Sequence, residues 1–341
     1  MLGNTLLRTT SVAATLLAGV LTIGAHAQER MSAGIGSTAQ GSFAYTSAAA
    51  IAKTISEHSK LQMRVQPMTG SSVYLGLLDN GELPFAVNSA PDLALAYRGK
   101  EPFMHNPNLR IIGAITRFDA AFIVRADSPY KTLEDAKGAR LAGKYPSHLI
   151  SLLFTTATLA ANNDTEEDFK IIPVPNSGSS LQALKEDAVD IAFSTINNSG
   201  VQETAAAVGG VRYLPVIPDG DPEAIKRFQA EMPGSVATTR KAGSVAGVEQ
   251  DMTAMGWDLY FTTGAPTDAD MVYVATKTFW EEIDSIRGAH KILEASLTRD
   301  YFLQKEFDIP YHEGAVRFFK EIGVWTDDME ARQAELLKIN G

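Results

Sequence analysis

Short apolar runs alternate along this chain with segments whose apolar residues recur at helical spacing. The first run, residues 31–35, enters a loop rich in glycine, serine and threonine, and a helical pattern leaves that loop near Ala44. Residues 61–68 and the small polar loop 69–72 repeat this order before a second helical pattern. Strands that alternate with helices in this way predict parallel sheets covered by helices, an α/β fold.

Further elements follow from periodicity and capping signals. Asn80-Gly81 closes the second helix, because glycine takes the left-handed cap conformation, and Ser89 with Pro91 opens the third. We predict additional strands over residues 83–87, 109–116, 120–125, 140–142, 169–174, 211–217 and 255–262. We predict additional helices over residues 149–161, 221–230 and 313–322, a long amphipathic helix over 271–286 and a terminal helix after Trp325.

Two segments of the chain resemble each other in pattern. Residues 83–88 can be laid on residues 189–194, and each segment follows a helix that itself follows a small polar loop. We therefore predict two similar α/β lobes, with residues 28–120 and 257–341 forming the first and residues 121–256 the second. Ligands of open α/β sheets lie beyond the carboxyl ends of the strands, so the polar loops predict a cleft between the lobes.

The N-terminus has the pattern of an export signal. Arg8 supplies a positive charge, residues 11–23 are small and apolar, and Ala25-His26-Ala27 is an A-x-A cleavage site. The apolar run is shorter than the roughly 20 residues that a transmembrane span needs. We expect residues 1–27 to be a signal peptide cleaved after Ala27, and the mature chain to be soluble and periplasmic, without direct membrane insertion.

Charge and residue usage exclude several classes of function. The 341 residues contain 40 acidic and 30 basic side chains, and the net charge of −10 disfavours nucleic acid and anionic lipid as partners. The absence of cysteine excludes thiol nucleophiles and thiolate metal sites. The histidines show no metal-ligand spacing, and no G-x-S-x-G nucleophile motif is present. We expect no metal, no cofactor and no catalytic residue.

The loop at residues 36–42 is the first candidate for ligand binding. Glycine lets the main chain approach a ligand closely, and the free N–H groups at a helix start suit an anion such as a carboxylate. Small polar or aromatic residues stand at corresponding places in both predicted lobes. The predicted ligand residues are Ser37, Gly41, Ser42, Tyr45, Thr69, Ser71, Ser72, Asn88, Ser89, Lys144, Tyr145, Thr195, Asn197 and Trp257.

Several of these residues have a structural alternative. Ser42 stands where a helix N-cap is expected, so its hydroxyl either binds the ligand or caps the helix. Lys144 is either a ligand contact or a solvated surface charge, and Trp257 either lines the cleft or packs in the core. Arg117 and Arg125 can clamp a second carboxylate in bidentate fashion, although Arg125 can instead serve structure alone.

Five stretches of the chain resemble the TAXI family of solute receptors, the substrate-binding subunits of certain TRAP transporters. They are residues 36–42 running into 48–53, residues 65–72, residues 124–128, residues 131–138 and the helix start at residues 311–315. The resemblance covers almost the whole chain after residue 27, in order. It implies a bilobed type II periplasmic-binding-protein fold, with two doubly wound α/β lobes joined by hinge strands. It also implies that the lobes close on a small organic acid or amino acid, which is delivered to a membrane permease.

The leading functional hypothesis is an extracytoplasmic receptor that captures a small carboxylated solute (an amino acid, an oxo acid or a related organic acid). We expect it to act as a monomer that serves TRAP-type membrane permease subunits and breaks no bond. Two alternatives are open. An exported serine-dependent hydrolase requires a base within hydrogen-bond reach of a serine in the cleft. A periplasmic sensory protein that feeds a membrane kinase uses the same binding site as the transport receptor.

Overall fold

The computed structural model describes residues 31–38, 40, 42–68, 70–146, 148–196 and 198–340, and only the backbone of Ser72 and Ser199. The predicted signal peptide, residues 1–27, lies outside this part of the chain, as do the predicted ligand residues Gly41, Thr69 and Asn197. Within the described ranges, no helix combines the length and the apolar character that crossing a membrane requires.

The described residues form strands interspersed with helices up to residue 264, about three quarters of the chain, followed by helices alone. The strands are β1 (Met31–Ser37), β2 (Leu61–Pro67), β3 (Phe85–Ser89), β4 (Leu109–Arg125), β5 (Arg140–Lys144), β6 (Lys170–Val174), β7 (Ala192–Thr195), β8 (Val211–Tyr213), β9 (Ser235–Arg240) and β10 (Met252–Gly264). The helices are α1 (Phe43–His58), α2 (Ser71–Asp79), α3 (Ala90–Tyr97), α4 (Leu149–Ala161), α5 (Ser177–Lys185), α6 (Ser199–Val208), α7 (Pro222–Glu231), α8 (Ala269–Glu281), α9 (Ile283–Arg287), α10 (Lys291–Ser296), α11 (Arg299–Phe302), α12 (Glu313–Glu321) and α13 (Asp327–Leu337).

The first half of the sheet has the strand order β2-β1-β3-β10-β4. Strand β1 lies between β2 and β3 and runs parallel to both. Strand β10 is antiparallel to β3 and to β4, with Leu259 opposite both Ser89 and Thr116. The carboxyl ends of β1, β2 and β3 therefore lie at one edge of this half.

The second half of the sheet is built on the other ends of β4 and β10. Strands β7 and β8 pair with residues 120–125 of β4, and β9 pairs with residues 252–257 of β10. Strands β5 and β6 are parallel to each other, and a parallel bridge between Leu141 and Ile191 joins them to the segment that enters β7. The carboxyl ends of β5, β6 and β7 therefore also share one edge, where Thr195 lies opposite Ala120.

Strands β4 and β10 cross from one half to the other, and we call them the crossover strands. The prediction of two separate strands, over residues 109–116 and 120–125, was wrong, because β4 is one strand of 17 residues. Its polar middle suggested a break, but the buried Asp119 carboxylate is paired with Arg240, and the Asp119 carbonyl accepts a hydrogen bond from the Ile196 N–H at 2.7 Å. These partners allow the polar residues to continue the strand through the centre of the fold.

The prediction of one helix over residues 271–286 was also wrong, because the chain turns at Glu282 and forms the separate helices α8 and α9. The elements predicted from the sequence include neither β9 nor α6. Strand β9 is short and rich in threonine and serine, and only its antiparallel pairing with β10 defines it as a strand.

Each half of the sheet has its own aromatic core. In the first half, Phe261 of β10 stacks between Phe85 and Phe279, and Phe302 stacks on Phe279 with ring centroids 4.1 Å apart. The second half has a separate cluster, in which Phe154 of α4 contacts Phe122, Phe193 and Phe228. Both clusters belong to one hydrophobic core of the described residues, and the fold is of the mixed α/β class that the sequence pattern predicts.

Candidate functional site

Six described helices begin directly after the carboxyl end of a strand, and all six starts lie at the boundary between the two halves of the sheet. Helices α1, α2 and α3 follow β1, β2 and β3, whereas α4, α5 and α6 follow β5, β6 and β7. On β4, the residues level with the ends of β3 and β7 are Thr116 and Ala120, which are four residues or about 13 Å apart along the strand. The ends of β3 and β7, and the helix starts that follow them, therefore face each other along β4, and we call the region between them the gap.

The start of α1 is held by hydroxyl groups. The Ser42 hydroxyl accepts a hydrogen bond from the Tyr45 N–H at 3.1 Å, which caps the helix, and it shares a 2.8 Å hydrogen bond with the Thr38 hydroxyl. The buried Ser37 hydroxyl donates to the Thr38 carbonyl at 3.0 Å. Tyr45 is half-buried in the first turn. Ser42 thus has the capping role, and its contact with a ligand stays a prediction.

The starts of α2 and α3 are tied together by a carboxyl group that the sequence reading did not single out. Ser71 donates its hydroxyl proton to Asp92, which lies in the first turn of α3 and is 2% exposed. Burial raises the pKa of Asp92 to about 6, and the hydroxyls of Ser71 and Ser89 oppose this rise. The local sequence around Pro91-Asp92 is typical of an exposed first turn of a helix. The burial of Asp92 depends on packing against other segments, which the local sequence does not indicate.

The raised pKa of Asp92 predicts a pH-dependent stability. The folded protein binds this proton more tightly than the unfolded chain, so the free energy of unfolding falls as the pH rises from about 4 to about 6. Asp92→Asn keeps an acceptor for Ser71 and removes this loss. Between pH 4 and pH 7, we expect the free energy of unfolding of the wild type to fall by about 2–3 kcal/mol more than that of Asp92→Asn, as measured by urea denaturation.

A matched control for this experiment is Asp328→Asn, which changes an exposed acid in the first turn of α13. We expect it to follow the wild-type pH profile. If Asp92→Asn follows that profile too, Asp92 does not titrate with a raised pKa.

Asn88 lies at the carboxyl end of β3 and is 1% exposed. Its side-chain oxygen accepts a hydrogen bond from the Thr262 hydroxyl at 2.6 Å, and the same hydroxyl lies 3.0 Å from the Ala86 carbonyl. Among the described residues, the amide nitrogen has no hydrogen-bond partner. A buried donor without an acceptor is unfavourable, so the geometry suits a bound acceptor at this strand end.

At the end of β7, Asn198 caps α6 by accepting a hydrogen bond from the Gly200 N–H at 2.8 Å. Its amide nitrogen donates to the Thr195 hydroxyl at 3.4 Å. Asn198 was not among the predicted ligand residues, although it belongs to the same polar run. This junction therefore matches the start of α1, where a capping side chain also bonds a neighbouring hydroxyl.

Lys144, the last residue of β5, and Tyr145, which follows it, have left-handed backbone conformations with φ of 66° and 39°, which are uncommon for residues other than glycine. The Lys144 ammonium pairs with Glu166, and its side chain is 52% exposed, as a surface charge would be. The Tyr145 side chain is buried, and its hydroxyl donates to the Ala142 carbonyl at 3.0 Å. The ion pair holds the Lys144 side chain at the surface, and the hydrogen bond holds the Tyr145 side chain in the interior. Neither of these two contacts involves another predicted ligand residue.

An aromatic cluster joins the start of α1 to the crossover strands. Phe43 contacts Phe118 of β4 edge-on with ring centroids 5.0 Å apart, and Phe118 contacts Trp257 of β10 at 6.5 Å. Trp257 also packs against Phe154 at 6.2 Å and is 3% exposed. Trp257 therefore packs in the interior, beside the gap between the two halves.

The two arginines considered as carboxylate clamps are engaged by acids of the chain. Arg117 makes a bidentate ion pair with Asp258, with N–O distances of 2.8 and 3.2 Å. Arg125 pairs with Asp127 at 3.4 Å. Both guanidinium groups are therefore already paired with carboxylates of the chain.

A serine–histidine pair does occur at the start of α4. The His148 Nδ1 and the Ser151 hydroxyl are 2.6 Å apart, and burial lowers the pKa of His148 to about 4. Ser151, however, is fully buried, so its hydroxyl is not presented to a substrate. Among the described residues, no group of three or more acidic or histidine side chains is placed to hold a metal ion.

The chain is similar to a known protein family and to several solved structures. A family model described as the NMT1-like family matches residues 35–323. A solved structure described as a periplasmic transporter is 14% identical, covers 92% of this chain and 98% of its own, and superposes with a TM-score of 0.53. A protein from Bordetella bronchiseptica is 14% identical over 86% of this chain and 98% of its own, with a TM-score of 0.52. A Xanthomonas citri protein bound to ATP is 10% identical over 90% and 98%, with a TM-score of 0.50.

At these identities, the structural likeness shows the fold alone. It confirms the predicted class, a bilobed α/β periplasmic-binding-protein fold with a central sheet flanked by helices.

Proposed function

The chain belongs to the NMT1-like family, and we propose that it is an extracytoplasmic receptor of the TAXI type that captures a small carboxylated solute for a TRAP-type permease. The proposed ligands are amino acids, oxo acids and related organic acids. This proposal is supported by the strand order and register, which place three helix starts of each half at the strand ends that face the other half. Main-chain N–H groups at helix starts favour an anion, and the helix dipoles add to this preference.

The side chains around the gap suit reversible capture. Ser37, Ser42, Asn88 and Thr195 are neutral, and the Asn88 amide nitrogen is a buried donor without a partner among the described residues. Arg117, next to the β4 residue that lies level with the end of β3, is held by Asp258. Neutral donors bind a carboxylate without a full opposing charge, which permits release of the ligand to the permease.

We further propose that residues 28–120 and 257–341 move as one lobe and residues 121–256 as the other. The crossover strands are then the hinge, because β4 and β10 each pair with strands of both halves. A solute that contacts one lobe in the open form gains contacts from the second lobe on closure. Its extra contacts stabilise the closed form, which the permease then recognises.

The proposed setting follows from the N-terminal segment. Cleavage after Ala27 would release a monomeric receptor into the periplasm, where the permease supplies the membrane-spanning part. A hydrolase is less well supported, because the described serine with a histidine partner, Ser151, is buried. A sensory receptor uses the same site, and a permease gene beside this gene would favour transport.

A thermal-shift screen of amino acids, oxo acids, dicarboxylates and aromatic acids tests the proposal. An acid present at about 100 times its Kd stabilises the folded state by about 2.7 kcal/mol, which raises the Tm by about 5 °C. The neutral amide of the best acid is the matched control and is expected to give no shift. Recovery of that acid's methyl ester unchanged after incubation separates capture from hydrolysis. A screen in which no class of acid raises the Tm contradicts the proposal.

A further inference from the structure

A second pocket lies beside the crossover strands, and we call it the crossover pocket. It has a volume of about 680 Å³, which is typical of small-molecule sites. Its walls come from α3, from residues 304–309 and from the crossover strands on one side, and from Gln229 of α7 and residues 234–236 on the other. Of the predicted ligand residues that the structure describes, none lines it. The crossover pocket is therefore bounded by both halves of the molecule. It shares Ala90, at the start of α3, with the gap described above, and most of its other lining residues lie elsewhere.

The charged residues of the crossover pocket are balanced. Three cationic and three anionic side chains line it: Arg117, Lys305, Arg332, Asp258, Glu306 and Asp308. Asp258 accepts two hydrogen bonds from Arg117 and one from the Tyr301 hydroxyl at 2.6 Å. Arg332 pairs with Asp308 at 2.9 Å. An ion entering this pocket would have to compete with these pairs, so the lining disfavours a ligand with net charge.

The crossover pocket also carries polar groups that an apolar ligand would leave unsatisfied. Ser235 lines the pocket and is 3% exposed, and its hydroxyl has no hydrogen-bond partner among the described residues. Arg117 uses two of its five N–H donors on Asp258. Gln229 and Tyr260 add an amide and a phenol to the lining. A neutral ligand that both donates and accepts hydrogen bonds satisfies such a surface best.

We propose that the crossover pocket is a second binding site, for a small uncharged polyhydroxyl molecule such as a sugar or a polyol. Ala90, Tyr260 and Phe307 offer apolar surface for its C–H faces, and the paired ions and the Ser235 hydroxyl bond its hydroxyl groups. Because the walls belong to both halves, occupancy fixes their relative position. The proposal does not require an acid to bind between the helix starts.

Isothermal titration of the full-length mature protein with D-glucose, sucrose and myo-inositol tests this proposal, with sodium malonate and choline chloride as charged comparisons. Gln229 is exposed and lines the pocket, so Gln229→Trp is designed to fill its mouth. Gln182→Trp places the same side chain at an exposed position of α5 outside the pocket and serves as the control. Ser235→Ala removes only the unpartnered hydroxyl.

The expected result is that at least one polyhydroxyl probe binds the wild type and Gln182→Trp equally. Gln229→Trp is expected to weaken that binding about tenfold or more, and Ser235→Ala about fivefold, the worth of one hydrogen bond. The proposal is overturned if none of the three probes binds the wild type, or if binding survives in Gln229→Trp. It is also overturned if only malonate or choline responds to Gln229→Trp.

Discussion

Gly256→Ala is expected to lower the free energy of unfolding by about 3 kcal/mol or more, because it forces the crossover strands apart. A Cβ atom at position 256 would overlap the Phe118 carbonyl oxygen and the Asp119 carboxylate. Both lie on β4 at the boundary between the two halves, and Asp119 is buried and paired with Arg240. The Phe118 carbonyl belongs to the main chain, and the ion pair with Arg240 holds the Asp119 carboxylate in place, so the backbone itself must shift.

The matched control is Gly76→Ala, since no heavy atom lies within 4 Å of the Cβ atom it would add in α2. Alanine in a helix is favoured over glycine, so this variant is expected to be about 0.5–1 kcal/mol more stable than the wild type. Urea denaturation followed by circular dichroism measures both variants. Equal stability of Gly256→Ala and the wild type would mean that the crossover strands tolerate separation and are not closely packed there.

The order of elements was predictable because buried strands leave a clear apolar pattern. The similarity of residues 83–88 and 189–194 corresponds to β3 and β7, which occupy equivalent places. Each follows a strand–loop–helix unit, and each lies directly beside a crossover strand, β3 beside β10 and β7 beside β4. The sequence therefore contained the repeated arrangement of the two halves, as well as the polar loops at their edges.

Side-chain placement at those edges was less predictable, because it depends on contacts between distant segments. Asp92 is buried by the approach of α2 to α3, and Tyr145 turns inward because its backbone takes a left-handed conformation that its sequence does not indicate. The continuity of β4 depends on Arg240, which is 121 residues further along the chain than its partner Asp119. Local periodicity contains none of these contacts.

Ser42→Asp separates the two roles of Ser42, the helix cap and the proposed ligand contact. Aspartate caps a helix as well as serine does, so we expect the free energy of unfolding to change by less than about 0.5 kcal/mol. If the ligand carboxylate lies beside this side chain, two like charges about 4 Å apart repel by about 4 kcal/mol at an effective dielectric constant of about 20. Affinity for the best acid of the thermal-shift screen should therefore fall by 100-fold or more, as measured by isothermal titration.

The control for this variant is Thr326→Asp, which makes a similar exchange at the N-cap of α13, a helix that contributes no predicted ligand residue. It adds the same charge to the protein, so an effect of net charge alone would weaken both variants equally. Unchanged affinity in Ser42→Asp would leave Ser42 as a cap only and would remove the α1 start from the proposed site. A loss confined to Ser42→Asp requires the anion to lie at that helix start, since the fold and the net charge of the two variants are the same.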